Sequence, residues 1–379
     1  MYSMHVGLNA QLLSLDRTYR GAGINTYIYH LLRAMGQIDS SHRFTAFVGE
    51  RRFREERLAV RRAAWPTERP WVRILWEQLA LPAILRRAEV DLLHAMAFVA
   101  PLWAPCPYVV TVYDLSFLRY PEAFRPFNRW YLSRFTPISV RRARRVIAIS
   151  ESTRRDLVEW LHVPPERVDV VHCGVDPVFR PLAANPIEQF RRERGLPDQF
   201  VLFVGTLEPR KNVERLIRAY AHWRLQPGDV KAPKLVVAGA SGWYTEQIFR
   251  TVEAMGLAGD VLFPGHVAAE DLPLLYNAAG LFVYPSLFEG FGLPVLEAMA
   301  CGVPVICSNV SSLPEVTGDA ALLVSPDDAP RLAEAMRRVW GDLELRRDMA
   351  ARGLARARGF TWERVARETV RVYERALGK

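Results

Sequence analysis

The stretch Leu281-Phe-Val-Tyr-Pro-Ser-Leu-Phe-Glu-Gly-Phe-Gly-Leu-Pro-Val-Leu-Glu-Ala-Met-Ala-Cys-Gly302 reads as one strand–loop–helix unit. Leu281 to Tyr284 is a short apolar run suited to the centre of a sheet covered on both faces. A loop carrying Gly290 and Gly292 follows. Pro294 is well placed to open a helix, and Gly302 to end it. The same unit recurs on both sides. Strands are expected at Phe200 to Val204, Lys234 to Ala238, Val261 to Phe263, Val305 to Cys307 and Ala321 to Val324. Toward the start they are expected at His5 to Ala10, Phe44 to Val48, Asp91 to His94, Tyr108 to Tyr113, Arg145 to Ile149 and Val168 to Val171. Amphipathic helices at Asn25 to Met35, Trp76 to Ala88, Ser152 to Leu161 and Val213 to Trp223 lie between them. This alternation is that of an α/β protein with mostly parallel sheets. It lapses between Cys173 and Pro197, a segment rich in Gly, Pro and Asn that reads as an interdomain linker. Two sheets joined by a linker imply a cleft between domains, with ligands at the carboxyl ends of the strands.

Composition narrows the function classes. Of 379 residues, 50% are hydrophobic and 24% charged, which excludes a disordered, collagenous or coiled-coil chain. The longest apolar stretches, such as Ala278 to Val283, fall far short of the ~20 residues that span a bilayer. Met1 to Asp16 has no basic start followed by a long apolar run, so neither export nor membrane spanning is expected. Cys106, Cys173, Cys301 and Cys307 form no C-x-x-C pair, and reduced thiols in a cytosol are the expectation. The net charge of +9 is carried by residues 1–180, while residues 181–379 balance 24 basic against 24 acidic residues. Only four of the 50 basic residues are lysines, which gives added weight to Lys211.

Three loops concentrate the chemistry. In 281–302, free N–H groups converge at Gly292, Leu293 and the first helical turn, which suits a phosphate. Glu289 and Glu297 stand eight residues apart, and a carboxylate can accept two hydrogen bonds from a vicinal diol. The plain alternative is that Glu297 complements the helix dipole and Glu289 is a solvated loop residue. In Gly205-Thr-Leu-Glu-Pro-Arg-Lys-Asn-Val213, Asn212 is a good N-cap, so Arg210 and Lys211 stand at a positive helix end. That costs roughly 0.3 to 1 kcal/mol for each cation unless an anion, such as a diphosphate, sits between them and the dipole. An exposed basic turn is the alternative. In Arg20-Gly-Ala-Gly-Ile-Asn-Thr-Tyr27, Gly21 and Gly23 allow close approach of a ligand to the backbone, but the third glycine of G-x-G-x-x-G is Thr26. An ordinary left-handed turn explains the segment almost as well. His94, Tyr113 and Asp114 fall at strand ends and are expected to face the cleft. No H-x-x-x-H, H-E-x-x-H or Cys/His cluster occurs, so no metal site is expected. G-x-S-x-G is also absent.

Glu289-Gly-Phe-Gly-Leu-Pro-Val-Leu-Glu297-Ala-Met-Ala-Cys-Gly-Val-Pro-Val resembles the E-x7-E signature of the retaining glycosyltransferases of family 4, also called group 1, which have the GT-B fold. The resemblance extends over Gly21 to Leu32, Val146 to Thr153, Gly174-Val-Asp176, Phe203 to Asn212 and Trp362 to Leu377. It implies two Rossmann-like domains facing across a cleft. Residues 1–180 would bind the acceptor, joined by a crossing-back helix within 362–379, and 181–361 would bind the nucleotide sugar. Arg210 and Lys211 would neutralise the donor diphosphate with the amides around Phe291, Gly292 and Leu293, Glu297 would hold the ribose, and Glu289 the donor sugar. The peptide around His266 and Val267 would lie near the base, with Gly23, Tyr113 and Asp114 lining the first-domain side. Thr206 stands where many members have arginine, and Tyr113 near where many have histidine. Tyrosine cannot carry a proton near neutral pH, so a general base there is not expected.

The resemblance implies transfer of a hexose, such as mannose, from a nucleotide diphosphate sugar to a hydroxyl of a glycan or lipid-linked acceptor. No cofactor and no metal would be needed. No residue stands out as the nucleophile of a covalent route. Front-face attack, in which the departing diphosphate takes the acceptor proton, is the reading adopted by analogy. A glycoside hydrolase using two carboxylates and a nucleotide-sugar-binding module without catalysis are the rival classes. Arg51 to Arg54, Phe124 to Tyr131 and Arg141 to Arg145 interleave cations with aromatics. With no nucleic-acid-binding motif beside them, they suggest a cytoplasmic protein in peripheral contact with an anionic membrane at its inner face, or simply solvated arginine faces.

Overall fold

The computed structural model describes residues 3–15, 22–226, 230–240, 242 and 245–378. The chain forms two compact units, Met1–Gly174 with Thr361–Lys379, and Val175–Phe360.

The first unit is built on a parallel sheet in the order β3-β2-β1-β4-β5-β6-β7. Its strands are β1 (His5–Ala10), β2 (Arg43–Val48), β3 (Ala59–Arg62), β4 (Leu92–Ala95), β5 (Tyr108–Val112), β6 (Arg145–Ala148) and β7 (Val168–Val170). Every residue of β1, β4 and β5 is buried, including the polar His5, Asn9, His94 and Thr111, so these strands are covered on both faces of the sheet. β3 was not visible in the sequence. It is an edge strand with three of its four residues exposed, and Arg61 and Arg62 leave no apolar run to detect. The helix at Trp76 to Ala88 begins earlier than expected, at Pro70, and continues through a π turn, Trp76–Ala80, into Leu81–Arg87.

The last helix, Trp362–Ala376, packs on the first, Ala22–Gln37. Trp362 meets Tyr27 edge-on at 5.7 Å and stacks on His30 at 5.2 Å. Gly174 lets the chain pass: a Cβ there would lie 2.6 Å from the Trp362 nitrogen. Deeper in, His94 does not face a ligand. Its ring nitrogens sit 2.7 Å from the Tyr373 hydroxyl and 2.7 Å from that of Thr111, and it is fully buried. The side chain thus joins β4 and β5 to the returning helix.

Burial pushes the His94 pKa down to about 3, below its ordinary 6.5. Unfolded chains therefore bind a proton here that the folded protein refuses, and the stabilisation present above pH 6.5 is lost as the pH falls. The wild-type protein is expected to lose about 1.4 kcal/mol per pH unit below 6.5 relative to His94→Gln. Urea unfolding of both proteins between pH 5 and 7 checks this; parallel pH dependences would remove His94 as the cause.

The second unit repeats the plan in the order β10-β9-β8-β11-β12-β13. Its strands are β8 (Phe200–Val204), β9 (Lys234–Ala238), β10 (Val261–Gly265), β11 (Leu281–Tyr284), β12 (Val305–Ser308) and β13 (Ala321–Val324). The chain runs outward from β8 to β10, then returns to the other side of β8. Strand order therefore reverses between β8 and β11, where Leu281 lies opposite Val201. At such a switch point the two loops leave the sheet in opposite directions and open a crevice. Those loops are 205–212 and 285–292, two of the three singled out in the sequence. At the neighbouring strand end, Gly239 has φ +154°, and a Cβ there would lie 1.9 Å from the Gly205 carbonyl oxygen, so only glycine lets β9 turn away under the first loop.

Candidate donor site at the switch point of the second sheet

Pro209–Lys211 forms one 3-10 turn after β8, and the helix Val213–Leu225 begins behind it. Asn212 is a correction to the sequence reading: its side chain caps no helix. It lies in the left-handed region at φ +58°, and its Nδ2 donates to the Pro285 and Pro326 carbonyls at 3.1 and 2.8 Å. The amide therefore ties the β8 loop to the loops after β11 and β13, and the Leu287 N–H adds a bond to the Arg210 carbonyl at 2.8 Å.

This stitching sets the two cations against Glu289. Lys211 Nζ donates to Glu289 Oε1 and to the Tyr284 hydroxyl, each at 2.6 Å. Arg210 donates through Nη2 to Glu208 Oε1 at 2.9 Å, and through Nη1 to the Phe288 carbonyl at 3.1 Å and Glu289 Oε2 at 3.5 Å. Tyr284 stacks between Phe203 and Phe282, so its hydroxyl is a fixed acceptor. Glu289 is only 6% exposed and Lys211 9%, which excludes both the solvated carboxylate and the exposed basic turn. The Glu289 N–H donates to Ser311 Oγ, and its carbonyl accepts from Ser312 Oγ. Burial works to raise the Glu289 pKa, but Lys211 and Arg210 outweigh it and hold the carboxyl below its ordinary value. Burial also pulls Lys211 down, with Glu289 opposing. Two cations thus face two carboxylates, Glu208 and Glu289, where the sequence suggested cations awaiting a phosphate. Without the Glu289 carboxylate the buried lysine would be an unpaired charge.

The helix Leu293–Ala300 starts beside this cluster. Gly292 has φ +106°, and a Cβ would lie 2.6 Å from Leu313 Cδ2, so the turn requires glycine. The first bonds of the helix run from the Val295 and Leu296 N–H groups to the Gly292 carbonyl, and the geometry of a helix start leaves the preceding N–H groups outside the ladder. Phe291 is buried edge-on against Phe360 and anchors the turn. One turn along, half-buried Glu297 accepts from the Tyr276 hydroxyl at 2.9 Å. Burial pushes its pKa up to about 7, Asp176 adds to the rise, and the Tyr276 bond opposes it. The two glutamates therefore differ chemically: Glu289 is a locked anion, and Glu297 titrates near neutrality. Val267 is half-buried in the loop after the edge strand β10.

Residues of the first unit stand differently from expectation. Gly23 lies in the first turn of the helix Ala22–Gln37, not in a loop, and the space where its Cβ would be is open. Gly21 lies outside the described residues. The Tyr113 hydroxyl donates to the Met96 carbonyl at 2.7 Å and is buried edge-on against Tyr27, so it is a packing group. Asp114 accepts from the Ser116 N–H at 2.8 Å. Among the described residues, no group of three His, Cys, Asp or Glu side chains is placed to hold a metal ion. All four cysteines are free.

Two family models together cover most of the chain: one described as Glycosyltransferase Family 4 matches residues 21–179, and one described as Glycosyl transferases group 1 matches 186–356. The O-antigen chain mannosyltransferase B of Escherichia coli is 36% identical over 271 residues, 70% of each chain. The chain belongs to the group 1 glycosyltransferases. The serotype-specific mannosyltransferase WbdA of the same organism is 33% identical over 256 residues, 66% of this glycosyltransferase but 31% of WbdA. Sucrose-phosphate synthase from Thermosynechococcus elongatus superposes with a TM-score of 0.78, covering 99% of each chain at 24% identity, and shows the GT-B fold.

For this glycosyltransferase the sequence reading missed Glu208, Tyr276 and Tyr284. Glu208 stands two residues before Arg210 and was legible as a possible partner. Tyr284 closes a strand and reads as core. Tyr276 meets Glu297 only because the helix Leu272–Ala278 packs beside Leu293–Ala300, a tertiary fact without a local signal.

Proposed function

We propose that this glycosyltransferase moves a hexose from a nucleoside diphosphate sugar to a hydroxyl of a glycan or lipid-linked acceptor, with retention and without a metal ion, on the cytoplasmic side of the membrane. Mannose is the sugar best supported, since both reported relatives are named mannosyltransferases. One observation carries the donor assignment: Arg210 and Lys211 lie at the switch point beside the helix start at Gly292 and Leu293. The diphosphate takes up the cations together with these amides, whose fixed dipoles need no reorganisation as charge develops. Glu297, ionised, accepts the ribose hydroxyls, with Tyr276 fixing its rotamer. Val267 borders the base and Glu289 contacts the sugar. In front-face attack the leaving diphosphate accepts the acceptor proton, which suits a site with no described carboxylate assigned as nucleophile. The acceptor is assigned to the first unit, residues 1–180 with the helix of 362–379, and Gly23 is its backbone contact. Tyr113 and Asp114 shape that loop, Tyr113 through its bond to Met96.

The test is a panel of nucleotide sugars offered with a glycan acceptor in EDTA, with the product followed by NMR. Transfer of mannose in the donor's anomeric configuration, undiminished by the chelator, is expected. Inverted product, loss of activity restored by Mg²⁺ or Mn²⁺, or release of free sugar from a glycan with no donor present would each contradict the reading.

A further inference from the structure

Two serines outside the donor loop hold its backbone. Ser311 and Ser312 follow β12 and precede the short helix Leu313–Thr317. Ser312 is the N-cap residue of that helix, a place where serine ordinarily accepts from an N–H of the first turn. Its hydroxyl makes no such bond. It is fully buried and donates instead, in a shared bond, to the carbonyls of Glu289 and Phe291 at 2.9 and 2.8 Å. Ser311 has φ +53°, an uncommon conformation for a residue with a side chain, and its Oγ accepts from the Glu289 N–H at 2.9 Å. Strain of this kind persists where the surrounding contacts require it, and it collects at ligand sites. Leu313, the next residue, is the one that crowds Gly292.

A trans peptide turns its C=O and the following N–H to opposite sides, so fixing one fixes the other. Ser311 thus holds the plane between Phe288 and Glu289 with its carbonyl turned to the far side, where Arg210 Nη1 donates to it at 3.1 Å. Ser312 holds the planes 289–290 and 291–292 with the Gly290 and Gly292 N–H groups turned away from it. Both glycines are buried, and among the described residues neither N–H has a hydrogen-bond partner. Buried backbone N–H groups without a partner are rare in folded proteins, and two turned from the same hydroxyl mark the place of an anionic oxygen. Glu297, assigned to the ribose, lies one turn into the helix that starts at Leu293. Gly290 lies on the other side of that start, beside Glu289, assigned to the sugar. Of the two phosphoryl groups between ribose and sugar, the distal one stands nearer the sugar, and it is the group that fits these two amides and Arg210.

We propose that Ser311 and Ser312 are positioning residues of donor binding: they fix three peptide planes of the loop so that Arg210 and the Gly290 and Gly292 N–H groups meet the distal phosphoryl oxygens. The inference rests on the donor assignment above. Its test is calorimetric titration of GDP and GMP, and of UDP and UMP, into the wild type, Ser311→Gly, Ser312→Ala and Lys211→Ala, with thermal unfolding of each protein. Glycine accepts the positive φ at 311, and alanine fits the space of Ser312, so both serine variants should melt within about 5 °C of the wild type. Each should bind the diphosphate that the wild type prefers about tenfold more weakly, while the matching monophosphate binds as before. A lesion that merely loosened the fold would weaken diphosphate and monophosphate alike, and that result would overturn the proposal. So would serine variants with wild-type affinity for the diphosphate where Lys211→Ala has lost it, which would leave the donor assignment standing. A Lys211→Ala protein that binds the diphosphate as tightly as the wild type would overturn the donor assignment, and this inference with it.

Discussion

Replacing Lys211 by Ala is expected to lower kcat/KM for the donor by about 10³-fold, the scale on which removing one preorganised charge donor slows a transfer reaction. Lys211 is held by two fixed groups, Tyr284 and Glu289, and its charge cannot swing away to solvent. The same geometry gives the lysine a structural share. Removing it leaves the buried Glu289 with Arg210, at 3.5 Å, as its remaining ion-pair partner, and breaking a buried pair costs about 3 to 5 kcal/mol. Two further variants separate the roles. Lys211→Arg keeps a cation for the carboxylate and should restore the melting temperature more than the activity, because the planar guanidinium does not reproduce the ammonium's position. Glu289→Gln removes the competing anion. Steady-state kinetics and thermal unfolding on all three variants check the argument; a Lys211→Ala enzyme that loses stability but keeps its kcat/KM would confine the lysine to a structural role.

Glu297→Gln is expected to remove a pH dependence that the wild type shows. With its pKa pushed up to about 7, Glu297 is largely protonated at pH 6 and largely ionised at pH 8. Only the ionised carboxylate offers acceptors to both ribose hydroxyls. Donor affinity should therefore rise by up to about tenfold per unit as the pH climbs toward 7 and level off above it. For stability the sign is opposite: a carboxyl whose folded pKa lies above its ordinary 4.5 favours the folded state at low pH and loses that advantage as pH rises through 7. Tyr276→Phe, which removes the one hydrogen bond holding the pKa down, should move the inflection to higher pH. The measurement is the donor KM from pH 5.5 to 8.5 for the three proteins. Parallel profiles for wild type and Glu297→Gln would dissociate Glu297 from the ribose.

The α/β class and the twofold repetition were legible because parallel strands buried on both faces leave unbroken apolar runs, as in β8 and β11. The E-x7-E segment was legible down to Gly292, whose positive φ and crowding against Leu313 explain why no other residue serves there. What stayed hidden was pairing across the fold. Nothing local shows that Glu289 sits between Arg210 and Lys211, or that Tyr276 reaches Glu297, because those contacts arise from the adjacency of β8 and β11 and of neighbouring helices. Asn212 misled for a related reason. Asn favours helix starts on average, but here the neighbouring carbonyls of Pro285 and Pro326 compete successfully for its amide. Tyr113 and His94 were assigned outward from their places at strand ends, and both point into the core, where Met96, Thr111 and Tyr373 satisfy them.

The central claim is that a diphosphate binds against the Arg210–Lys211 pair now engaged by Glu289. Calorimetric titration of nucleoside diphosphates into wild type, Lys211→Ala and Glu289→Gln in EDTA tests it most directly. The account predicts binding to the wild type without metal, weaker binding to Lys211→Ala, and binding to Glu289→Gln tighter by about tenfold, since neutralising one nearby carboxylate removes a like-charge repulsion from the phosphates. Equal affinity in all three proteins, or binding only when a divalent ion is added, would contradict it.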